Sequence, residues 1–501
     1  MGDSRTITLI KHTGLYALGN IISKLMMFVL VPFYSFYIEA GEFGYYNLCL
    51  TTVLILGPMV AMQMKEGALR FLLEKKGAAE QDAVVAFILR RLLVNSLVFI
   101  LVASVVAAVH PVDFLWYTVA LTVAYMLQET LAQICRGLDR NMVFAVSGVV
   151  CAMVIMVVSV VLVAVFSMGI KGIFIGNIAG RFMSVIYMEW RVHIARRLSS
   201  PERLSRERQR SIIRYCLPLV AVMLLTWLIN SSNVYFISYL CGLESMGQFA
   251  VAQKWGQIFE SIAGIFFLGW QEMAMSHYDD ADRDAYFSKI FNVYLWLYAF
   301  MVVGISFGVR FIYPWVTGAA YHGSAQYLFP IVFIVMLSYT ICFYDVAYQC
   351  AKNTRRAFFG WLGAAVVVVA GNFLLGRAYG IYGILASSIF TYMFLLIYRV
   401  VDTRRYVQLR ISMRSMLGMG VLLISFAAFY LTDSRIFMLG WLALSVAAFA
   451  ALFPPFAREF LKSRLHRPKR TSASNLDMPD GDGGGSPLES VMEEELEGAE
   501  K

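Results

Sequence analysis

Two related stretches decide how this chain folds: Gly41-Glu-Phe-Gly44-Tyr-Tyr46 and Glu244-Ser-Met-Gly247-Gln-Phe249, each near the start of a long apolar segment. Two further pairs follow in the same order: Arg140-Asn141 with Asn353-Thr-Arg355, and Gly169-Ile-Lys-Gly172 with Gly380-Ile-Tyr-Gly383. Landmarks that recur in one order at a nearly constant offset indicate an internal duplication. Because an even number of apolar segments separates the copies, both have the same orientation, which is a parallel repeat.

The composition predicts that most of the chain lies in a membrane. Of its 501 residues, 59% are hydrophobic and only 15% are charged, whereas soluble domains carry about 25% charged residues. Apolar stretches long enough to cross about 30 Å of hydrocarbon recur throughout. We therefore predict an all-α polytopic membrane protein with about 14 transmembrane helices; several stretches abut, so that twelve also fits. The predicted spans are 14–38, 45–71, 84–109, 113–135, 142–167, 171–190, 214–240, 246–273, 290–313, 325–350, 356–376, 380–400, 413–432 and 436–456.

The duplication divides these spans into two six-helix lobes, related by an axis along the membrane normal, plus two extra C-terminal helices. The predicted domains are 1–200 for the N-lobe, 201–410 for the C-lobe, 411–456 for the last two spans and 457–501 for a cytoplasmic tail. The tail begins basic and becomes Gly/Ser-rich and acidic, which is typical of disordered segments.

The distribution of charge predicts the orientation. Most of the 42 Lys and Arg residues fall in tails and loops on one side, so the positive-inside rule places both termini in the cytoplasm. The opposite loops are short, which disfavours a membrane glycosyltransferase or polymerase with an outer catalytic domain. The seven cysteines form no CxxC motif or His/Cys cluster, so we expect no disulfide framework, no metal site and no cofactor.

Six cations lie at membrane depth, where each costs about 2.5–3.5 kcal/mol unless it faces protein or water. Near span ends, a long side chain reaches the interface by snorkelling, and this explains Lys65, Arg70 and Arg310. The other three, Lys24, Arg181 and Lys254, come from both predicted lobes, and Asn20 shares the helix face of Lys24. They predict a chamber that binds a pyrophosphate or another anionic headgroup. Alternatively, each cation neutralises a buried carboxylate and ties helices together.

Other polar residues within spans are further candidates. Glu129, Glu260 and Asp345 are the carboxylates that would couple transport to H+ or Na+, although structural pairing is the better interpretation of Asp345. Asn230, Ser231 and Asn233 interrupt an apolar span. They fit contacts with glycan hydroxyls, a helix break or hydrogen bonds between helices.

These landmarks resemble the polysaccharide transporter family (Wzx-type O-antigen and exopolysaccharide flippases) of the multidrug/oligosaccharidyl-lipid/polysaccharide exporter superfamily. The resemblance covers residues 5–456 and is carried by the span 14–32 leading to Gly44, by Arg136-Gly-Leu-Asp-Arg140 and by the two Gly-Ile-X-Gly motifs. It implies a V-shaped flippase, not an enzyme, that moves undecaprenyl-pyrophosphate-linked glycan repeat units across the bacterial inner membrane by alternating access. The implied partners are that lipid-linked glycan, membrane lipids and polysaccharide polymerase or chain-length machinery, and not nucleic acid.

Three alternatives stay open. A lipid II flippase of the same superfamily shares the 14-span layout and a cationic cavity. A cation-coupled multidrug exporter usually has an acid in its first span, where this chain has Lys24. A membrane scaffold of a polysaccharide-synthesis complex would use the basic loops and the acidic tail for docking.

Overall fold

The computed structural model describes residues 26, 29–74, 77–199, 204–351, 354–431 and 434–452, and these residues are helical with short connections and no strand. The predicted tail at 457–501 lies outside them. The α-helices are α1 (29–37), α2 (Ala40–Val60), α3 (Met64–Leu72), α4 (Ala78–Val109), α5 (Leu115–Gly137), α6 (Asn141–Val160), α7 (Gly169–Val192), α8 (Arg206–Leu240), α9 (Leu243–Ser276), α10 (Arg283–Val316), α11 (Leu328–Cys350), α12 (Thr354–Thr403), α13 (Met413–Leu431) and α14 (Arg435–Ala451).

Within the described residues, nine helices are long and apolar enough to cross a membrane. One of them, α12, makes two passes because its backbone is non-helical at Gly380, where φ is +58°. A Cβ on Gly371 would contact Ser387, and one on Gly376 would contact Ile384. The two arms therefore run antiparallel, as expected for the predicted spans 356–376 and 380–400.

The predicted span 45–71 is wrong as a single helix. The chain leaves the helix after Val60 and resumes it at Met64 as α3. Between them, Met62 and Gln63 have left-handed backbones, with φ of 50° and 53°. Two consecutive non-glycine residues in that region stop a right-handed helix, so α2 and α3 are separate elements.

The helices pack in two groups. Among the described residues, α4 to α7 make their main contacts with one another and with α2 and α3, whereas α10 to α14 pack among themselves and on α8 and α9; α9 makes its largest contact with α2. The main helix contacts between the groups run from α2 to α8 and α9, and from α3 to α8. Helix α8 therefore touches both groups, with its largest contact on α12.

The last two helices pack on α10. The indole Nε1 of Trp296 donates to the carbonyl oxygen of Phe449 at 2.9 Å. The Arg310 guanidinium lies 4.3 Å from the ring centre of Phe429 and donates to the carbonyl oxygen of that residue. Arg310 thus ties α13 to α10, where the sequence predicted snorkelling.

Candidate functional site

The first turns of α2 and α9 cross in direct backbone contact. A Cβ on Gly44 would overlap the carbonyl oxygen of Leu243 and lie 2.8 Å from the backbone nitrogen of Gly247. A Cβ on Gly247 would in turn overlap the carbonyl oxygen of Ala40. Only glycine permits this approach. We call this end of the bundle the Gly44 end. The opposite end, which carries Arg196, Arg197, Arg206 and Arg208, is called the basic end.

Further contacts close the Gly44 end. The backbone N–H of Gly318 donates to Ser35 Oγ at 3.0 Å, and the Tyr321 hydroxyl donates to the carbonyl oxygen of Ile38 at 2.8 Å. The ring of Tyr321 also packs edge-on against Phe43. Residues from α1 and α2 are thereby joined to the segment between α10 and α11.

Arg181 lies below this closed end. On α7, Phe174 packs edge-on against Tyr46 of α2, with ring centres 5.2 Å apart. Arg181 follows Phe174 by seven residues, so it lies on the same helix face two turns deeper. It is about 18 Å along α7 from Gly169 at 1.5 Å per residue.

Lys254 occupies the matching position on α9. It follows Gly247 by seven residues and shares the face that meets α2. Its distance along α9 from Leu243 is about 17 Å. Since α7 and α9 both begin at the Gly44 end, the two cations lie at similar depth below it.

Neither cation forms an ion pair with a carboxylate among the described residues, although Glu260 lies within electrostatic range of Lys254. Arg181 Nη1 donates to Gln128 Oε1 at 3.0 Å, and its guanidinium carbon lies 4.7 Å from the ring centre of Tyr125. Its Nε is buried without a partner. Lys254 is half-buried and makes no hydrogen bond or ion pair with a described residue. Two positive charges at this depth favour an anion between them.

The other predicted headgroup residues, Lys24 and Asn20, lie outside the described residues. Of the four predicted headgroup residues, the structure therefore describes Arg181 and Lys254, which lie at similar depth.

The three candidate coupling carboxylates have different surroundings. Glu129 pairs with Lys65, with Oε2 and Nζ 3.4 Å apart. Glu260 is exposed and has no ion pair among the described residues. Asp345 pairs with Arg399 at 2.6 Å between Oδ1 and Nε. That arginine is fully buried, so Asp345 has the surroundings of a structural pair.

The candidate glycan residues on α8 divide between a buried network and an exposed site. Asn233 Nδ2 donates to Ser388 Oγ at 2.8 Å, and Asn372 Nδ2 donates to Asn233 Oδ1 at 2.8 Å. Asn372 also donates to Ser232 Oγ at 3.3 Å. These bonds join α8 to both arms of α12, so Asn233 has a structural role.

Asn230 and Ser231 are more open. The Tyr392 hydroxyl donates to Asn230 Oδ1 at 2.6 Å, but the Asn230 side chain is exposed. Ser231 is half-buried and has no hydrogen-bond partner among the described residues. Both keep capacity for a further hydrogen bond.

Sequence reasoning missed three residues of this region. Gln128 holds Arg181, Lys65 pairs with Glu129 instead of snorkelling, and Arg399, at the end of the predicted span 380–400, is buried beside Asp345. The seven-residue spacing of Phe174 and Arg181 predicts that both lie on one face of α7, and that face is the one that meets Gln128. No local pattern links Asp345 to an arginine so distant in sequence.

The sequence matches one known protein family. A family model described as polysaccharide biosynthesis protein matches residues 9–269, more than half of the chain. The chain belongs to the polysaccharide biosynthesis protein family. No curated protein matches it at a significant level.

This member of the polysaccharide biosynthesis protein family also resembles solved transporters. Its fold is similar to that of the lipid II flippase MurJ in an inward closed conformation, with a TM-score of 0.66, 13% identity and coverage of 89% of this chain and 99% of that chain. An inward-facing multidrug resistance MATE family transporter of the MOP superfamily gives a TM-score of 0.56 at 13% identity, covering 84% and 96%. Family and fold together identify a multi-pass membrane protein of the polysaccharide biosynthesis protein family, with the fold of these solved transporters.

Proposed function

We propose that this protein is a flippase that translocates undecaprenyl-pyrophosphate-linked oligosaccharide repeat units across the bacterial inner membrane for cell-surface polysaccharide biosynthesis. The observation that carries the proposal is the pair Arg181 and Lys254, two cations without carboxylate partners at similar depth in different helix groups. A pyrophosphate offers both of them charge-assisted hydrogen bonds. The membership in the polysaccharide biosynthesis protein family supports a glycan as the rest of the cargo.

The mechanism we propose is alternating access between two six-helix lobes, with 14 membrane passes and both termini in the cytoplasm. The closed Gly44 end is then the outer end, and the headgroup enters from the basic end. Lys24 and Asn20 are proposed to complete the headgroup site. Asn230 and Ser231 are proposed glycan contacts, because their side chains are not fully used within the protein.

A proton or sodium gradient is the proposed drive. Asp345 is occupied by the buried Arg399, which leaves Glu129 and Glu260 as the carboxylates open to an ion. No covalent step is involved, so the binding free energy of the cargo and the gradient must together shift the conformational equilibrium.

The two cations without carboxylate partners, Arg181 and Lys254, also help to distinguish the alternative functions. A multidrug exporter for cationic drugs would suffer like-charge repulsion from Arg181 and Lys254. A lipid II flippase would fit the same headgroup site, because its cargo carries the same pyrophosphate. A scaffold would not need a cationic interior at all.

The experiment is complementation of a bacterial strain that lacks its repeat-unit flippase. We expect the wild-type protein to restore surface polysaccharide, and Arg181→Gln or Lys254→Met to leave lipid-linked glycan on the cytoplasmic face. Lys171→Met is the matched control, because Lys171 is an exposed cation on the same helix as Arg181. Rescue by both site variants at wild-type level would exclude the proposed headgroup site. Rescue of a lipid II flippase strain instead would redirect the proposal to that cargo.

A further inference from the structure

A strained turn places Lys65 beside α5. Met62 and Gln63 have left-handed backbones, with φ of 50° and 53°, a conformation that is unfavourable for side chains with a Cβ. Helix α4 holds the turn: Asn95 Nδ2 donates to the carbonyl oxygen of Val60 at 2.7 Å, and Arg91 Nη2 lies 3.8 Å from Met62 Sδ. Strain that the surroundings maintain is found at functional sites.

The Lys65–Glu129 pair differs in kind from the buried pair of the other helix group. Its single contact is 3.4 Å, and the two side chains are 22% and 32% exposed. Asp345 and Arg399 lie 2.6 Å apart and are 18% and 0% exposed. Partly exposed pairs contribute little net stability, whereas breaking a buried pair leaves an uncompensated charge. The Lys65–Glu129 pair therefore costs less free energy to break than the buried Asp345–Arg399 pair.

The surroundings of Glu129 carry more positive than negative charge. Two cations, Lys65 and Arg181, share the vicinity of this one carboxylate, since Tyr125 and Cys151 are each within electrostatic range of both Glu129 and Arg181. Four charged or titratable groups lie near Glu129: Lys65 on α3, Arg181 on α7, Cys151 on α6 and Tyr125 on α5. Two more lie one residue further away: Arg91 of α4 contacts Met62, and Tyr46 of α2 lies near Arg181. On α5, Gln128 holds Arg181 and the next residue, Glu129, holds Lys65.

We propose that Lys65 is an additional ligand of the anionic headgroup, that Glu129 is its counter-ion in the empty transporter, and that headgroup binding moves Lys65 from Glu129 to the phosphate. This inference rests on the proposed function, since it assumes that an anionic headgroup binds at Arg181. The inference adds Lys65 to the headgroup ligands, whereas the position of Lys65 in its predicted span indicated only snorkelling to the membrane interface. It also selects Glu129 from among the coupling carboxylates.

The exchange has a defined proton balance. A carboxylate that loses its cation and faces a phosphate binds a proton more tightly, because the charged form loses its stabilisation. One proton from solvent therefore joins the Glu129 carboxylate for each headgroup bound, and it leaves when the headgroup departs and Lys65 returns. No other bond forms or breaks.

The test uses the purified full-length protein in detergent micelles, with farnesyl-pyrophosphate-linked N-acetylglucosamine as the probe, a pyrophosphate diester whose own charge does not change between pH 5.5 and 8. Binding is measured between pH 5.5 and 8, and proton uptake is followed with an indicator dye in weak buffer. The wild-type protein should take up as much as one proton per probe bound and should bind more tightly at lower pH. Glu129→Gln should bind at least as tightly as wild type, without proton uptake and without pH dependence.

Variants of Lys65 separate a ligand from a structural tie. Lys65→Met should weaken binding about tenfold, whereas Lys65→Arg, which keeps the charge, should retain most of it. Glu66→Gln, which removes the adjacent carboxylate, is the matched control and should behave as wild type. Thermal unfolding of each variant shows whether it is folded; a purely structural pair would lower the unfolding midpoint in Lys65→Met and Glu129→Gln without changing proton uptake per bound probe.

The outcomes distinguish the two proposals. If wild type binds the probe and Arg181→Gln weakens binding, but Lys65→Met and Glu129→Gln match wild type in affinity and proton uptake, the partner exchange is wrong and the proposed function stands. If wild type does not bind the probe, both proposals fail.

Discussion

Gly44 of α2 and Gly247 of α9, equivalent positions of the two related sequence stretches, face each other where their helices cross. A Cβ on either would overlap the backbone of the opposite helix, and one on Gly44 would come within 2.8 Å of the nitrogen of Gly247 itself. A duplicated residue that meets its own counterpart is expected when the contact lies on the axis that relates the copies. The crossing thus links the sequence repeat to the closure of the Gly44 end.

The first prediction concerns this crossing. Gly44→Ala should destabilise the protein by about 1–3 kcal/mol, because the added methyl group meets backbone that cannot rotate away. Gly41→Ala on the same helix is the control: its Cβ would meet nothing within 4 Å, and Ala favours a helix over Gly by about 1 kcal/mol. Thermal unfolding in detergent measures both. Equal midpoints for the two variants would contradict the close crossing.

The second prediction concerns the pair Asp345 and Arg399. Asp345→Asn should cost about 3–5 kcal/mol, because it leaves a buried guanidinium without its carboxylate. The double variant Asp345→Leu/Arg399→Leu should recover much of that loss, since it removes both charges. Glu260→Gln, at an exposed carboxylate, should leave the unfolding midpoint unchanged. A double variant less stable than Asp345→Asn would argue against a simple ion pair.

The third prediction separates packing from cargo contact among the polar residues of α8 and α12. Asn372→Leu removes two hydrogen bonds of the buried network and should lower stability by about 1–3 kcal/mol. Ser231→Ala removes no hydrogen bond with a described residue, so it should keep the unfolding midpoint and reduce the rate of glycan translocation. If Ser231→Ala changed stability and left translocation intact, Ser231 would have no role as a glycan contact.

The membrane-embedded helical fold could be predicted from the sequence because it depends on long apolar stretches. The repeat could be predicted as well, because the sequence makes Gly44 and Gly247 equivalent positions, and the structure brings these two residues into contact. The break at Met62 and Gln63 was not predicted, since neither residue type favours a left-handed backbone. Hydropathy continues smoothly across that turn.

The candidate site was less predictable, because its electrostatics depend on contacts between distant segments. Arg181 and Lys254 followed from depth alone, but the difference between the unneutralised Arg181 and the paired Lys65 depends on which neighbour carries a carboxylate. The burial of Arg399 could not be predicted, because this residue lies at the end of the predicted span 380–400 whereas α12 continues to Thr403. The depth of a residue in a span therefore identifies charges whose burial costs free energy. Only the packing of the helices shows which of these charges are already paired.

The central claim is that Arg181 and Lys254 bind the headgroup during transport. Its most direct test is translocation of an undecaprenyl-pyrophosphate-linked oligosaccharide by the purified protein in liposomes, followed by accessibility of the glycan to an external enzyme. We predict that Arg181→Gln and Lys254→Met each lower the initial rate about tenfold or more, equivalent to about 1.4 kcal/mol, while Lys171→Met matches wild type. Wild-type rates in both folded site variants would contradict the claim.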